Sequence, residues 1–419
     1  MTLKKDLKKK GENDFDHMVK LGLELLGYTA DGTNGALYYA PDVGAHVAPI
    51  IPISGDDAPT SIYKCDSYEC LSRLNIVSNM AQLSKMTSTR DIPPQFLKSA
   101  MMVGNIPFTA LQKDHRVSYT LYIPPQHYNP DPSRQASQDS GDLHPQYLLP
   151  SLPLIVNVHG TGRNAERCRD RLIAFCDSER VAVLAPLFPA GVNGPADLDG
   201  YKLLTSQTLR FDLALLHILD EVATKWPGID TKKFFLAGFS GGGQFAHRFA
   251  YLHPERVLAL SVGAPGRATF LDKSLKWPNG IQDVGNVFDP QLVIDKTNFG
   301  QIEEIQLVIG GEDNDIYGGN EFWEWLTMMR KKQRKAELES ESKKSEKTQA
   351  GTLAPQKKGR LDNLRELQIA WKSDGISSRL DVVPGIAHDA LGVQPTVNDF
   401  LLPLVRNLWD QRSGPLAVS

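Results

Sequence analysis

From about residue 115 onward the sequence predicts an α/β fold, a mostly parallel β-sheet with helices on both faces. Two observations predict it. Short aliphatic and β-branched runs alternate with helical patterns. Several of these runs are almost unbroken in apolar residues, as strands covered on both faces should be. Strands are expected at Val117 to Ile123, Leu152 to Val158, Val181 to Leu187, Lys233 to Gly238, Val257 to Val262, Ile305 to Ile309 and Ser378 to Val383. Between them, Leu209 to Lys225 carries Phe211, Leu215, Ile218 and Val222 at alternating spacings of four and three, one face of a helix. Gly242 to Leu252, Glu321 to Lys335 and Val397 to Trp409 read as further helices.

Three segments depart from this rhythm. Residues 1–110 read as an N-terminal extension, a lid or accessory region, attached to the main α/β domain at 111–419. The extension has an amphipathic helix candidate at Asp14 to Leu26 and a Gly/Pro/Ala-rich stretch through Pro59. Helical pieces follow around Tyr68 to Lys85 and Gln95 to Met102. Asn129 to His144, rich in Pro, Ser, Asp and Gln, reads as an exposed loop between strands. Lys331 to Arg360 is dominated by Lys, Glu, Ser and Gln, with no apolar periodicity after Leu338. It reads as a helix end running into a flexible charged insertion at about 336–360.

Composition narrows the function classes. The 419 residues are 41% hydrophobic and 23% charged, as in an ordinary globular protein. A net charge of -3 lacks the basic excess of nucleic-acid binders, so no nucleic-acid partner is expected. No apolar run is long enough to span a membrane. Met1 to Lys20 lacks the apolar stretch and small-residue cleavage site of an export signal. The four cysteines, Cys65, Cys70, Cys168 and Cys176, form no C-x-x-C pair. They read as reduced thiols of a cytoplasmic protein, with one Cys65–Cys70 disulfide as the alternative.

The sharpest local feature is Gly238-Phe239-Ser240-Gly241-Gly242, a G-x-S-x-G between an apolar strand and a helix. A tight strand-to-helix turn holds its serine at strained backbone angles, and flanking glycines keep side chains out of the corner. Ser240 then stands at a helix N-terminus, where peptide dipoles favour developing negative charge. A phosphate-binding turn would instead end in Lys-Ser/Thr, and Gln244-Phe245 follows here. Ser240 is therefore the candidate nucleophile.

A hydroxyl needs a general base at neutral pH, and that base needs a partner to fix its tautomer. The strand ending at Ile309 runs into Gly310-Gly311-Glu312-Asp313-Asn314-Asp315, and the one ending at Val383 into Pro384-Gly385-Ile386-Ala387-His388. His388 is the one histidine after the last strand and downstream of these carboxylates, hence the candidate base. Asp313 is the leading candidate acid, with Asp315 and Glu312 as alternatives. His247, His253 and His159 read as structural.

Two backbone N–H groups must face the carbonyl oxygen as it becomes negative. One comes from Gly241, after the nucleophile. The other comes from the turn His159-Gly160-Thr161-Gly162 that ends an upstream strand, so from Thr161 or Gly160.

At these residues the sequence resembles the α/β-hydrolase superfamily. The block Gly238 to Phe249, with the helix closed by His253-Pro254, is especially similar to esterase and polyhydroxybutyrate-depolymerase-like members. The resemblance spans roughly residues 115–410. It implies a Ser240, Asp313, His388 triad, an oxyanion hole at Thr161 and Gly241, and no cofactor. The implied activity is hydrolysis of a small-molecule carboxylic ester through an acyl-enzyme. Acyl transfer or peptide cleavage by the same triad, or a catalytically silent binding protein, are the alternatives. Phe270, Trp277 and Phe288 are candidates to roof the acyl pocket or to serve as plain core. Oligomeric state is not legible.

Overall fold

The computed structural model describes residues 88–136, 144–195, 197–314 and 358–413, the backbone of 38–41 and 47–50, and single helical positions between 321 and 332. The expected helices at Asp14 to Leu26 and Tyr68 to Lys85 lie outside the described residues. So do Cys65, Cys70, Asp315 and nearly all of the charged insertion. The chain divides into two compact units, Met1–Lys85 and Met86–Ser419. In the first, β1 (Tyr38–Pro41) and β2 (Val47–Ile50) form an antiparallel pair, Tyr38 opposite Ile50.

The second unit is built on an eight-stranded sheet. Its strands are β3 (Gly104–Ala110), β4 (Ser118–Ile123), β5 (Leu154–Val158), β6 (Ala182–Leu187), β7 (Phe234–Phe239), β8 (Val257–Gly263), β9 (Glu304–Gly310) and β10 (Arg379–Val383). They lie in the order β10-β9-β8-β7-β5-β6-β4-β3. From β6 through β10 every pairing is parallel, while β4 runs antiparallel to both β6 and β3. This is the α/β-hydrolase fold that the sequence predicts. All seven expected strands form, each within two residues of its expected start.

Burial explains why these runs become strands. Every residue of β5 is buried, as are all but the last of β6 and β7, so both faces are covered. Ile155, Val156, Leu184, Leu236, Leu260 and Leu307 have no exposed surface. Each such side chain removed from water contributes roughly 1.5–3 kcal/mol. In the edge strands β3 and β10 every residue except Ile106 is partly or fully exposed instead.

The helices that matter for the site are α1 (Ala165–Asp170), α2 (Ile173–Glu179), α3 (Phe211–Lys225), α4 (Gly241–Leu252), α5 (Arg360–Ser373) and α6 (Gln394–Ser413). The predicted stripe of α3, Phe211, Leu215, Ile218 and Val222, is fully buried.

Two expectations change. β3, placed by the sequence reading in the extension ending at residue 110, pairs with β4 and forms the sheet edge. Pro107 interrupts its apolar pattern, and the register shifts between Ile106 and Thr109, which an edge strand tolerates. Gln95 to Met102 is not a continuous helix: a short 3-10 turn at Pro94–Phe96 leads into further turns.

Helix α5, which the sequence reading left unassigned beside the charged insertion, is held by a buried relay. Trp371 Nε1 donates to the Tyr251 hydroxyl at 2.8 Å, and that hydroxyl donates to the Thr269 carbonyl at 2.8 Å. Tyr251→Phe strands both a buried indole N–H and a buried carbonyl. It is expected to lower unfolding free energy by about 1–3 kcal/mol in guanidinium titration, with the denaturant slope unchanged.

Candidate active site

Ser240 stands where β7 turns into α4, with φ 58° and ψ -113°. A non-glycine residue at positive φ is strained by about 1–3 kcal/mol and persists only when its surroundings hold it there. Here its N–H donates to the Gly263 carbonyl at 2.8 Å. Gly242 makes the turn possible. A Cβ on it would lie 2.0 Å from the Val158 carbonyl oxygen, so no side chain fits between elbow and sheet.

His388 and Asp313 come from the loops after β10 and β9, the last two strands of the sheet's parallel side. Their approach is built into the backbone. Gly311 N–H donates to the Val383 carbonyl at 2.7 Å and Glu312 N–H to the Ile386 carbonyl at 2.9 Å. Gly310 lies so close that a Cβ on it would stand 2.1 Å from the Ile386 oxygen. His388 Nδ1 lies 2.5 Å from Asp313 Oδ2, and Nε2 lies 3.0 Å from Ser240 Oγ. The imidazole also packs on the Phe239 ring, centroids 4.9 Å apart. Asp313 is 2% exposed, whereas the Glu312 side chain points outward.

Asp313 has a second partner that the sequence reading missed. Arg360 Nη1 donates to Asp313 Oδ1 at 2.9 Å, a buried ion pair. In the sequence Arg360 closes the charged insertion. A signal was present: Leu361, Leu364, Leu367 and Trp371 follow at helical spacing and all are buried, so Arg360 opens a helix. The two ends of the intervening segment meet. Asp362 N–H donates to Asn314 Oδ1 at 3.4 Å, and a Cβ on Gly359 would overlap Asn314.

The turn after β5 lies against the elbow. A Cβ on Gly160 would be 3.7 Å from Ser240 Cβ, and a Cβ on Gly241 would be 3.1 Å from Thr161 N. The two candidate oxyanion residues are thus neighbours. Arg163 N–H closes the turn onto the Gly160 carbonyl at 3.1 Å. His159 braces it from below: Nε2 accepts from Phe188 N–H at 3.1 Å, which leaves Nδ1–H to donate to the Gly160 carbonyl at 2.8 Å.

His247 uses its ring in the same way, accepting from Thr269 N–H at 3.0 Å and donating to the Gly243 carbonyl at 2.7 Å. His253 bonds Asp212 at 3.0 Å. All three therefore have structural partners away from Ser240.

A cavity of about 710 Å³ opens beside Ser240 and His388. Leu198, Leu203, Val393, Val397 and Leu401 give it apolar surface. Phe270, Trp277 and Phe288 do not line it. Trp277 packs edge-on against Phe288 at 4.9 Å and donates its indole N–H to the Leu203 carbonyl, so it belongs to the core, with Phe270 and Phe288 partly buried against that core. No cluster of His, Cys, Asp or Glu able to hold a metal occurs among the described residues.

No protein-family model matches this sequence, and no curated protein does. Among solved structures the chain is similar to a poly(3-hydroxybutyrate) depolymerase from Bordetella parapertussis, at 17% identity and TM-score 0.48, covering 74% of this chain and 93% of that one. It is also similar to poly(aspartic acid) hydrolase-1 from Sphingomonas sp. KT-1, at 18% identity and TM-score 0.46, covering 68% and 93%. An S-formylglutathione hydrolase from Agrobacterium tumefaciens has 14% identity and TM-score 0.42, covering 69% and 89%.

Burial holds His247 near a pKa of about 3, with the Arg248 charge adding to the effect, and holds His159 near about 4. Both values lie below the ordinary 6.5 of an unfolded chain, so the unfolded state takes up these protons first. The stability they support is complete above pH 6.5 and is lost as pH falls toward 4, by up to about 1.4 kcal/mol per unit for each histidine. Denaturant midpoints measured from pH 7 downward should fall accordingly; a level profile to about pH 5 would contradict the assignment.

Proposed function

We propose that this protein is a serine hydrolase that cleaves small-molecule carboxylic esters through an acyl-enzyme. The observation that carries this reading is the continuous relay from Asp313 through His388 to Ser240, at 2.5 and 3.0 Å, ending on a serine held at φ 58°.

Ser240 Oγ attacks the ester carbonyl carbon as His388 Nε2 takes its proton. Asp313 holds Nδ1–H and stabilises the imidazolium. Arg360 keeps this carboxylate oriented through its other oxygen. The carbonyl oxygen becomes negative against the N–H groups of Gly241 and Thr161, with Gly160 keeping the turn close. Each such donor typically contributes about 3 kcal/mol of transition-state stabilisation. Collapse expels the alkoxide, which His388 protonates to the free alcohol. Water then attacks the acyl-enzyme, giving its proton to His388, and the acid leaves as Ser240 recovers its hydrogen. No cofactor enters this cycle.

The same reading keeps residues 1–85, the part of the expected extension that lies outside the large unit, as an accessory region and places the enzyme in the cytoplasm. Cys168 and Cys176, free buried thiols, support that location. No helix among the described residues is long and apolar enough to cross a membrane.

Hydrolysis of p-nitrophenyl esters of graded acyl length tests the proposal. Ser240→Ala and His388→Ala are each expected to lower kcat by roughly 10⁴-fold or more, and Asp313→Asn by roughly 10⁴-fold. A fluorophosphonate should label wild type and leave Ser240→Ala unlabelled. Wild-type rates in Ser240→Ala would sink the reading.

A further inference from the structure

The cavity beside Ser240 has a strongly cationic wall. Arg163, Arg171, Lys202, Arg267 and Arg360 are among its lining residues, against the carboxylates of Asp199 and Asp389 among the described residues. Arg360 is engaged with Asp313, and Asp389 accepts from the N–H groups of Leu391 and Gly392. Arg163 directs its guanidinium at neutral acceptors, the carbonyls of Thr161, Phe188, Pro189 and Leu198, so its charge is fixed in place without being cancelled there.

Lys202 stands closest to the proposed chemistry on this side. Its Cε lies 3.0 Å from where a Cβ on Gly241 would be, beside Thr161 N and the Tyr201 hydroxyl. Yet the residue is only 7% exposed, with Nζ donating to Asp199 Oδ1 at 2.6 Å. Burial pushes its pKa down and Asp199 pulls it back up, while Arg163 and Arg267 press it down again. An ammonium group buried among guanidinium groups is costly, and ester hydrolysis by Ser240, His388 and Asp313 uses none of the charges of Lys202, Arg163 and Arg267. A bound anion would offset that cost.

We propose that this wall is a carboxylate-binding subsite, and that the preferred substrate is an ester whose acyl chain carries a second, ionised carboxyl group. Lys202, with Arg163 and Arg267, receives that group while Ser240 attacks the ester carbonyl. The anion belongs to the acyl half because the alcohol must leave toward His388, which protonates it, whereas Lys202 lies against Gly241 and Thr161. The subsite rests on the serine-hydrolase reading and adds the class of acid to it.

The test compares mono-p-nitrophenyl adipate with p-nitrophenyl hexanoate, which differ only in a terminal carboxylate against a methyl group. At low ionic strength kcat/KM is expected to favour the adipate ester by at least about tenfold. That ratio should fall toward one in Lys202→Met and in Arg267→Met, and also at about 0.5 M salt, where screening shortens the reach of charge. Thermal unfolding of both variants separates lost folding from lost selectivity, each serving where the other does not fold. Ser240-dependent turnover with a wild-type ratio near or below one, or a ratio that neither variant moves, overturns the subsite and leaves the hydrolase standing. If neither ester turns over and the fluorophosphonate fails to label, the hydrolase reading is what falls. Calorimetric titration of adipate then decides the subsite alone. Saturable binding to wild type that Lys202→Met weakens at least about tenfold sustains it; absent or equal binding removes it.

Discussion

The backbone of Ser240 is the constraint around which the rest of the large unit is arranged. A β-strand cannot pass directly into a helix without a corner, and here the corner falls on a residue with a side chain at φ 58°. What holds it is mostly backbone: the bond from Ser240 N–H to Gly263 O, and the seating of Gly242 against Val158 O. Those partners end β8 and β5, the two strands flanking β7. Three adjacent strands, nearly all of their residues buried, thus converge on one turn, so the strain is supported by the best-packed part of the sheet. The turn carrying Gly160 and Thr161 reaches the elbow for the same reason, since it begins where β5 ends.

Electrostatics around this corner follow from burial. The proposed acid is almost wholly removed from water and is flanked by an imidazole on one oxygen and a guanidinium on the other. Breaking such a pair leaves an uncompensated buried charge, which makes Arg360 a structural condition for Asp313 and not an ornament. Histidines elsewhere are treated in the opposite manner. His159 and His247 are kept neutral, each with a lone pair accepting a backbone N–H, so they serve as rigid hydrogen-bonded spacers. One residue type therefore fills two roles, and the surroundings decide between them.

Much of this was legible in the sequence because it rests on local patterns. Buried parallel strands are apolar runs, and the elbow needs its glycines at fixed spacing. The loops that follow β9 and β10 carry a carboxylate and a histidine in the chain order that the resemblance implies. What escaped was either irregular or distant. β3 contains a proline and shifts register, so it lacks a strand's alternation. Arg360 follows a long stretch of polar residues, and no local rule ties it to Asp313 47 positions away. The cationic wall escaped as well, since Arg163, Lys202 and Arg267 leave three separate loops and meet only in the folded chain. Of the aromatic candidates for the pocket roof, Trp277 is core, its indole N–H bonded to the Leu203 carbonyl.

The meeting of Asn314 with Gly359 and Asp362 has a consequence for how the chain tolerates change. The segment between begins and ends at neighbouring points, and the Asp313–Arg360 pair closes its base like a clasp. Closing a longer loop on fixed ends costs only about 0.6 kcal/mol for each doubling of its length. With its ends held this way, an insertion between Asn314 and Gly359 is expected to leave the Asp313–Arg360 pair in register. The ends would still be registered by a bond that the proposed acid itself supplies.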